Sequence, residues 1–246
     1  MYDGAREIAQ ERGFTPPPFD DFWANDVYDF STPAPGSQPI LLGEFRDDPV
    51  RHPLQTPSGR IELVSETIRS FNYDDCPAHP TWIEPAEWLG GPLAERYPLH
   101  LLSNQPGNRL HSQLDNATLS RKAKINGREP IHLSGLDAKQ RCLADGDVVR
   151  VFNDRGAFLA GVQISDELRP GVVQIATGAW YDPEVAGTVG SLEKHGNPNV
   201  VTLDKGTSRL TQCSVAQTCL VEVEKYDRPP RVTAFDWPTI HRVEQG

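Results

Sequence analysis

Between residues 99 and 226 short apolar runs recur, each closed by turn residues, and that rhythm restricts the segment to a barrel or a sandwich. The first run spans 99–102. Asp147-Val-Val-Arg-Val-Phe-Asn153 is the next, ended by Asn153-Asp-Arg-Gly156. Phe158, Ala160, Val162 and Ile164 then alternate with Leu159, Gly161 and Gln163 on the opposite face. After Arg169-Pro-Gly171 comes Val172-Val-Gln-Ile-Ala176, and Leu220-Val-Glu-Val-Glu-Lys-Tyr226 is a strong late strand. One helix is expected over 136–143, opened near Ser134 and stopped by Asp145-Gly146. A second spans 112–124, although Asn116 and Thr118 weaken it. The predicted class is mainly β with a few short helices.

The first ninety residues differ in kind. They hold sixteen Asp/Glu against six Arg and no Lys, whereas 91–246 carries eighteen of each sign. Twelve of the 22 prolines also fall there, among them Pro16-Pro-Pro18, Pro33, Pro35 and Pro39. Such a stretch forms few long helices or central strands and has trouble burying a core by itself. It reads as the trailing edge of an earlier domain, with an acidic disordered leader as the alternative. Phe14, Phe19, Phe22, Trp23 and Phe30 argue against pure disorder, since disordered segments are poor in aromatics. The expected division is 1–90 as the upstream segment, 91–227 as the barrel and 228–246 as a C-terminal tail.

Two polar loops carry the chemistry. Ser103-Asn-Gln-Pro-Gly-Asn-Arg-Leu-His-Ser-Gln-Leu-Asp115 packs amides, a guanidinium, an imidazole and a hydroxyl around a Pro-Gly turn. Groups on either side of that turn can converge on one polar, phosphorylated or heterocyclic ligand. Near the other end, His195-Gly-Asn-Pro-Asn199 leads through Asp204 to Lys205-Gly-Thr-Ser-Arg-Leu-Thr-Gln212. Trp180 and Tyr181 either edge a ring system or serve as core aromatics.

These loops occur in order with Ala144-Asp-Gly-Asp-Val-Val-Arg-Val-Phe-Asn-Asp-Arg-Gly156 and Gly178-Ala-Trp-Tyr-Asp-Pro183. From about residue 56 to 226 the series resembles the C-terminal part of the dimethyl sulfoxide reductase family of molybdenum enzymes, nearest its biotin sulfoxide and trimethylamine N-oxide reductases. The resemblance implies a six-stranded double-psi β-barrel. It also implies bis(molybdopterin guanine dinucleotide) with molybdenum, held jointly with upstream domains. Carried over by motif, Ser103, Asn104, Gln105, Arg109, His111 and Ser112 line the pterin or phosphate side. Asn197, Asn199, Asp204, Ser208 and Gln212 close it, with Gln217 at the end and Asp204 facing guanine. The implied partners are the rest of a parent oxidoreductase and a small S-oxide or N-oxide. The implied setting is a bacterial cytoplasm or periplasm, the cytoplasm preferred. No catalytic residue and no protein ligand to the metal is assigned, because in the family that ligand lies far upstream of these motifs.

Other classes are narrowed on chemical grounds. The net charge of −10 disfavours nucleic acid and anionic membranes as partners. No apolar run approaches the ~18 residues of a membrane span, and Met1-Tyr-Asp-Gly-Ala-Arg-Glu lacks the apolar stretch of a signal peptide. Cys76, Cys142, Cys213 and Cys219 form no metal spacing; Cys213 and Cys219 read as small packed hydrophobes. His111, Ser112 and Asp115 have the composition of a hydrolase triad without a nucleophile elbow. His79 is a turn residue. A stand-alone barrel acting as a binding module is the alternative to the oxidoreductase reading. A self-cleaving decarboxylase-like barrel, cut at Gly190-Ser191 or Gly36-Ser37, is a more distant one.

Overall fold

A computed structural model describes residues 1–25, 27 and 40–236. Phe30, Pro33, Pro35, Pro39 and the pair Gly36-Ser37 lie outside the described residues. The chain clusters into two units, Met1–Ser65 and Glu66–Gly246.

The first unit holds α1 (Tyr2–Glu11), α2 (Phe19–Ala24) and α3 (Gly43–Asp47). The longest of these, α1, has ten residues and stops at Arg12, where the following Gly13 adopts a positive φ. The Tyr2 ring stacks on Phe22 with centroids 5.0 Å apart, and Arg6 Nε donates to the Pro16 carbonyl at 3.0 Å. These contacts give local order without a core: none of the described residues of the unit is buried.

The second unit opens with α4 (Glu66–Phe71) and contains a closed barrel. Its strands are β1 (Leu99–Asn104), β2 (Pro130–Leu133), β3 (Val148–Asn153), β4 (Gly156–Ile164), β5 (Val172–Ala176) and β6 (Cys219–Lys225). They close in the order β1-β5-β2-β4-β3-β6. β1 runs parallel to β5 and β2 parallel to β4; the other four pairings are antiparallel. The alternation read from the sequence becomes the core, since Leu99 and Leu101, Val149 and Val151, Phe158, Ala160 and Val162, and Val173 and Ile175 all point inward. Leu159 and Gly161 are buried on the outer face too. A Cβ on Gly161 would lie 2.3 Å from Ile125 Cβ, so only glycine admits that covering segment.

Three expectations need correction. The helix expected over 136–143 is α6 (Gly135–Gln140), capped as anticipated: Ser134 Oγ accepts from Asp137 N at 3.1 Å. It stops early because Cys142 adopts a left-handed φ of 55°, with Cys142 N donating to Lys139 O and Leu143 N to Ala138 O. The helix expected over 112–124 shrinks to α5 (Thr118–Ala123), because His111 and Leu114 also adopt positive φ. β2 had no sequence signal of its own. Cys219 is buried as read, but Cys213 is exposed, because the loop that carries it runs over the surface.

Two flanking segments are stitched to the barrel. Glu87 is buried; it accepts from Leu220 N at 2.8 Å and from Arg155 Nη2 at 3.0 Å. Beyond β6, Thr233 N and Oγ1 donate to the buried Asp182 at 2.6 and 2.5 Å, and Phe235 meets the His195 ring edge-on at 4.9 Å. Among the described residues no helix is long and apolar enough to cross a membrane.

Candidate functional site

Three segments meet at one end of the barrel: the loop after β1, the loop after β5 and the stretch 193–199. A buried ion cluster draws them together. Asp115 Oδ1 lies 2.8 Å from Lys124 Nζ, which is 2.7 Å from Glu129 Oε2. Arg109 Nη2 lies 3.1 Å from Glu129 Oε1, and Arg109 Nε is 3.4 Å from Asp115 Oδ1. Two cations face two carboxylates, so the cluster is formally neutral. That balance is what allows four ionised groups to sit where their side chains are at most 5% exposed.

The same groups fix the loops. Arg109 donates to the His111 and Thr177 carbonyls at 3.0 and 3.1 Å, joining the first loop to the end of β5. Asp115 Oδ2 accepts from Trp180 N at 3.0 Å, and Trp180 Nε1 donates to the Ser112 carbonyl at 2.8 Å. His195 Nδ1 lies 2.9 Å from the Trp180 carbonyl, and its own carbonyl accepts from Glu129 N at 2.9 Å. Burial, followed by the nearby Lys124 ammonium, holds the His195 imidazole below its ordinary pKa. Gly196 closes the arrangement at φ +103°, where a Cβ would lie 2.7 Å from Glu129 Cβ.

Glu193 was not named from the sequence. Its carboxylate, fully buried, accepts from four backbone N–H groups: Asp182 and His195 at 3.1 and 3.0 Å, Gly196 and Asn197 at 2.7 and 2.8 Å. Burial pushes the carboxyl up to about 7, against the pull of those four donors toward the charged form. The signal was present, since a Gly-Asn-Pro turn leaves buried amides that need an acceptor. A carboxylate three residues before that turn is well placed to be it.

The residues named from the sequence separate into distinct settings. His111, Ser112, Asn197 and Asn199 line one cavity of about 440 Å³, together with Trp180 and Tyr181. Trp180 and Tyr181 are exposed, which removes the core-aromatic reading. Asn104 lines a second cavity of about 260 Å³ beside Glu129, His132 and Gln174. Ser208 and Gln212 line a third, about 540 Å³, with Asp75, Lys205 and Arg209. Gln105 and Asp204 are exposed and line none of these. Arg109 is committed to the ion cluster, its side chain 1% exposed. Gln217 clamps Ser103, taking its N–H at 3.1 Å and donating to its carbonyl at 2.6 Å, as a neighbouring strand would. Asp115 faces Lys124 and Trp180 N, so the triad composition of His111, Ser112 and Asp115 has a structural explanation.

The donor set suits a heterocycle bearing phosphates. The 440 Å³ cavity offers two side-chain amides that both donate and accept, a hydroxyl and an imidazole. Glycines at 178 and 196 let backbone approach backbone around it. Among the described residues no group of three or more His, Cys, Asp or Glu side chains is arranged to hold a metal ion.

Comparison with known proteins agrees with this chemistry. Residues 99–220 match the family described as the Molydopterin dinucleotide binding domain. The chain is 47% identical over 239 residues to the dimethyl sulfoxide/trimethylamine N-oxide reductase of Cereibacter sphaeroides, covering 97% of this chain and 29% of that protein. It is 50% identical over 219 residues to trimethylamine-N-oxide reductase 1 of Escherichia coli K12, covering 88% and 26%. The chain therefore spans less than a third of either relative. Acetylene hydratase from Pelobacter acetylenicus superposes with a TM-score of 0.55 at 21% identity, over 73% of this chain and 25% of that one; this likeness concerns the fold. The chain belongs to the dimethyl sulfoxide reductase family of molybdopterin oxidoreductases, and its barrel is the domain that binds the molybdopterin guanine dinucleotide cofactor.

Proposed function

We propose that this chain is the cofactor-holding portion of a larger S-oxide or N-oxide reductase, and that the cavity between His111, Ser112, Asn197 and Asn199 receives part of bis(molybdopterin guanine dinucleotide). The observation that carries this reading is convergence: two loops more than eighty residues apart in sequence line one polar cavity. When bound, the molybdenum of that cofactor supplies oxygen-atom transfer and a two-electron redox change. The chain's own task is positioning. Asn197 and Asn199 present amides that match ring N–H and C=O groups, while Ser112 and His111 supply hydrogen-bonding groups from the other side. Arg109 acts one step back, holding the His111 and Thr177 carbonyls. Asn104, Ser208 and Gln212 line the neighbouring cavities, which are open to the remaining parts of the cofactor.

The oxide substrate follows by kinship: the relatives' names specify dimethyl sulfoxide and trimethylamine N-oxide. Biotin sulfoxide is a further S-oxide that the sequence resemblance implies. A cavity of about 440 Å³ covers only part of so large a cofactor, so its other walls belong to the rest of the parent oxidoreductase.

Asn199 gives the sharpest test. Asn199→Asp replaces a two-way amide with an acceptor and brings negative charge toward phosphates. In the full-length protein it should lower molybdenum and guanine content together, and further than Asn199→Ser does. Equal and full occupancy in both variants would refute the placement.

A further inference from the structure

We infer that Glu193 is a positioning residue for the cofactor loop: its carboxylate gathers the backbone of 195–197 and thereby sets Asn197 and Asn199 at the cavity. The assignment rests on the reading of that cavity as the cofactor site.

The argument follows one line of contacts from rigid to functional. Glu193 is fixed to the barrel through its own backbone, where Leu159 N donates to Glu193 O at 2.8 Å and Glu193 N donates to Ala157 O at 3.0 Å. Both partners lie on β4, in the barrel wall. From that anchored position the side chain turns toward the loop and takes the N–H groups of His195, Gly196 and Asn197. Asn197 passes the constraint on, because its Oδ1 accepts from Asn199 N at 3.0 Å and caps the 3-10 turn Pro198–Val200. Pro198 has no N–H and a fixed φ, so the turn keeps the direction it is given. The fourth donor, Asp182 N, ties in the segment that follows Trp180 and Tyr181. One carboxylate thus orients both sides of the cavity mouth without lining it.

Charge and acceptor count set the role apart from mere filling of space. A carboxylate offers about four lone-pair sites, all acceptors, and four amide donors use them. Glu193→Gln keeps the volume but turns an NH2 group toward two N–H donors. Glu193→Asp keeps charge and acceptors and loses one methylene. If Glu193 only packed, Gln would be the milder change and Asp the worse. If it positions the loop, the order reverses.

The experiment is the rate of cofactor release from the full-length holoenzyme, followed by the fluorescence of the freed, oxidised pterin. Release should be fastest from Glu193→Gln, roughly tenfold or more above wild type, with Glu193→Asp between them. Because Glu193 acts through Asn197 and Asn199, adding Asn199→Ala to Glu193→Gln should give a rate no faster than the faster single variant. Should Glu193→Gln fail to accumulate, Glu193→Asp with Asn199→Ala carries the same cycle. Rates that multiply in the double variant, or Gln milder than Asp, would overturn the assignment. Accelerated release from Asn199→Ala with no effect of either Glu193 variant would overturn it while leaving the cofactor site intact. A wild-type rate in Asn199→Ala would instead refute the site itself.

Discussion

The carbonyl oxygen of His111 approaches Gly178 so closely that a Cβ at position 178 would lie 2.1 Å from it. Gly178 also adopts φ +92°, a region that L side chains rarely enter. Space and conformation therefore demand glycine independently, at the point where the first loop crosses the end of β5. Gly178→Ala must push 111–112 away from 177–178, which opens the cavity those residues line. The expected result is lower cofactor content in the full-length protein, with a loss of stability of about 1–3 kcal/mol from the backbone strain alone. Unchanged content and unchanged melting would show that the loop approaches less closely than described.

Much of the barrel was legible because alternation is a local signal. Leu99 and Leu101, Val149 and Val151, and Val173 and Ile175 alternate with outward residues and needed no partner to be recognised. β2 was not legible: it has four residues, begins with Pro130, and shows only Ile131 and Leu133 as an inward pair. Closure and the two parallel pairings are non-local, and only the family resemblance anticipated a closed barrel. In the site, the density of polar groups disclosed both loops. It did not disclose which side chains the protein uses on itself. Arg109 looked like a phosphate ligand because its partners Glu129 and the Thr177 carbonyl lie 20 and 68 residues away. Glu193 went unnamed although three of its donors are its near neighbours in sequence. The reason is that the burial that makes those amides need an acceptor is set by the tertiary fold, and the fourth donor, Asp182 N, lies eleven residues away.

The ion cluster predicts strong coupling. Asp115→Ala leaves Lys124 with Glu129 alone and removes the acceptor for Trp180 N. Breaking a buried pair by deleting one partner typically costs about 3–5 kcal/mol. Asp115→Leu with Lys124→Met removes both charges and should cost clearly less than the sum of the single changes. Urea unfolding of the wild type, Asp115→Leu, Lys124→Met and the double variant measures this, and strict additivity would contradict a shared buried network.

A pH dependence follows from His195. Burial and Lys124 hold its folded pKa below the ordinary 6.5, with Asp115 and Glu129 pulling the other way. The unfolded chain therefore takes up a proton first as pH falls, and stability is lost below about pH 6.5. Glu193 has the opposite sign. Its carboxyl rises from 4.5 to about 7, so its contribution is present below 4.5 and is lost as pH rises through 7. Comparing wild type with His195→Gln isolates the histidine, because Glu193 is common to both. Between pH 7.5 and 5.5 the wild type should lose more stability than His195→Gln. Parallel pH profiles would mean that His195 is not held neutral.

The last prediction concerns this chain purified by itself, which should reduce neither sulfoxides nor N-oxides. It spans 29% of the Cereibacter sphaeroides relative and 26% of the Escherichia coli one. The cavity joining its two loops is about 440 Å³, whereas a bis-pterin dinucleotide needs walls on several sides. With part of the cofactor left in water, hydrogen bonds from Asn197 and Asn199 compete with solvent, and each then contributes only about 0.5–1.5 kcal/mol. The metal would also lack the surrounding groups that tune its reactivity. The assay incubates the chain with molybdenum-loaded cofactor, reduced viologen and trimethylamine N-oxide or biotin sulfoxide, and follows viologen oxidation. Oxidation no faster than with free cofactor is expected. Turnover well above it would show that these residues suffice for catalysis, and the assignment to a cofactor-holding portion would have to be given up.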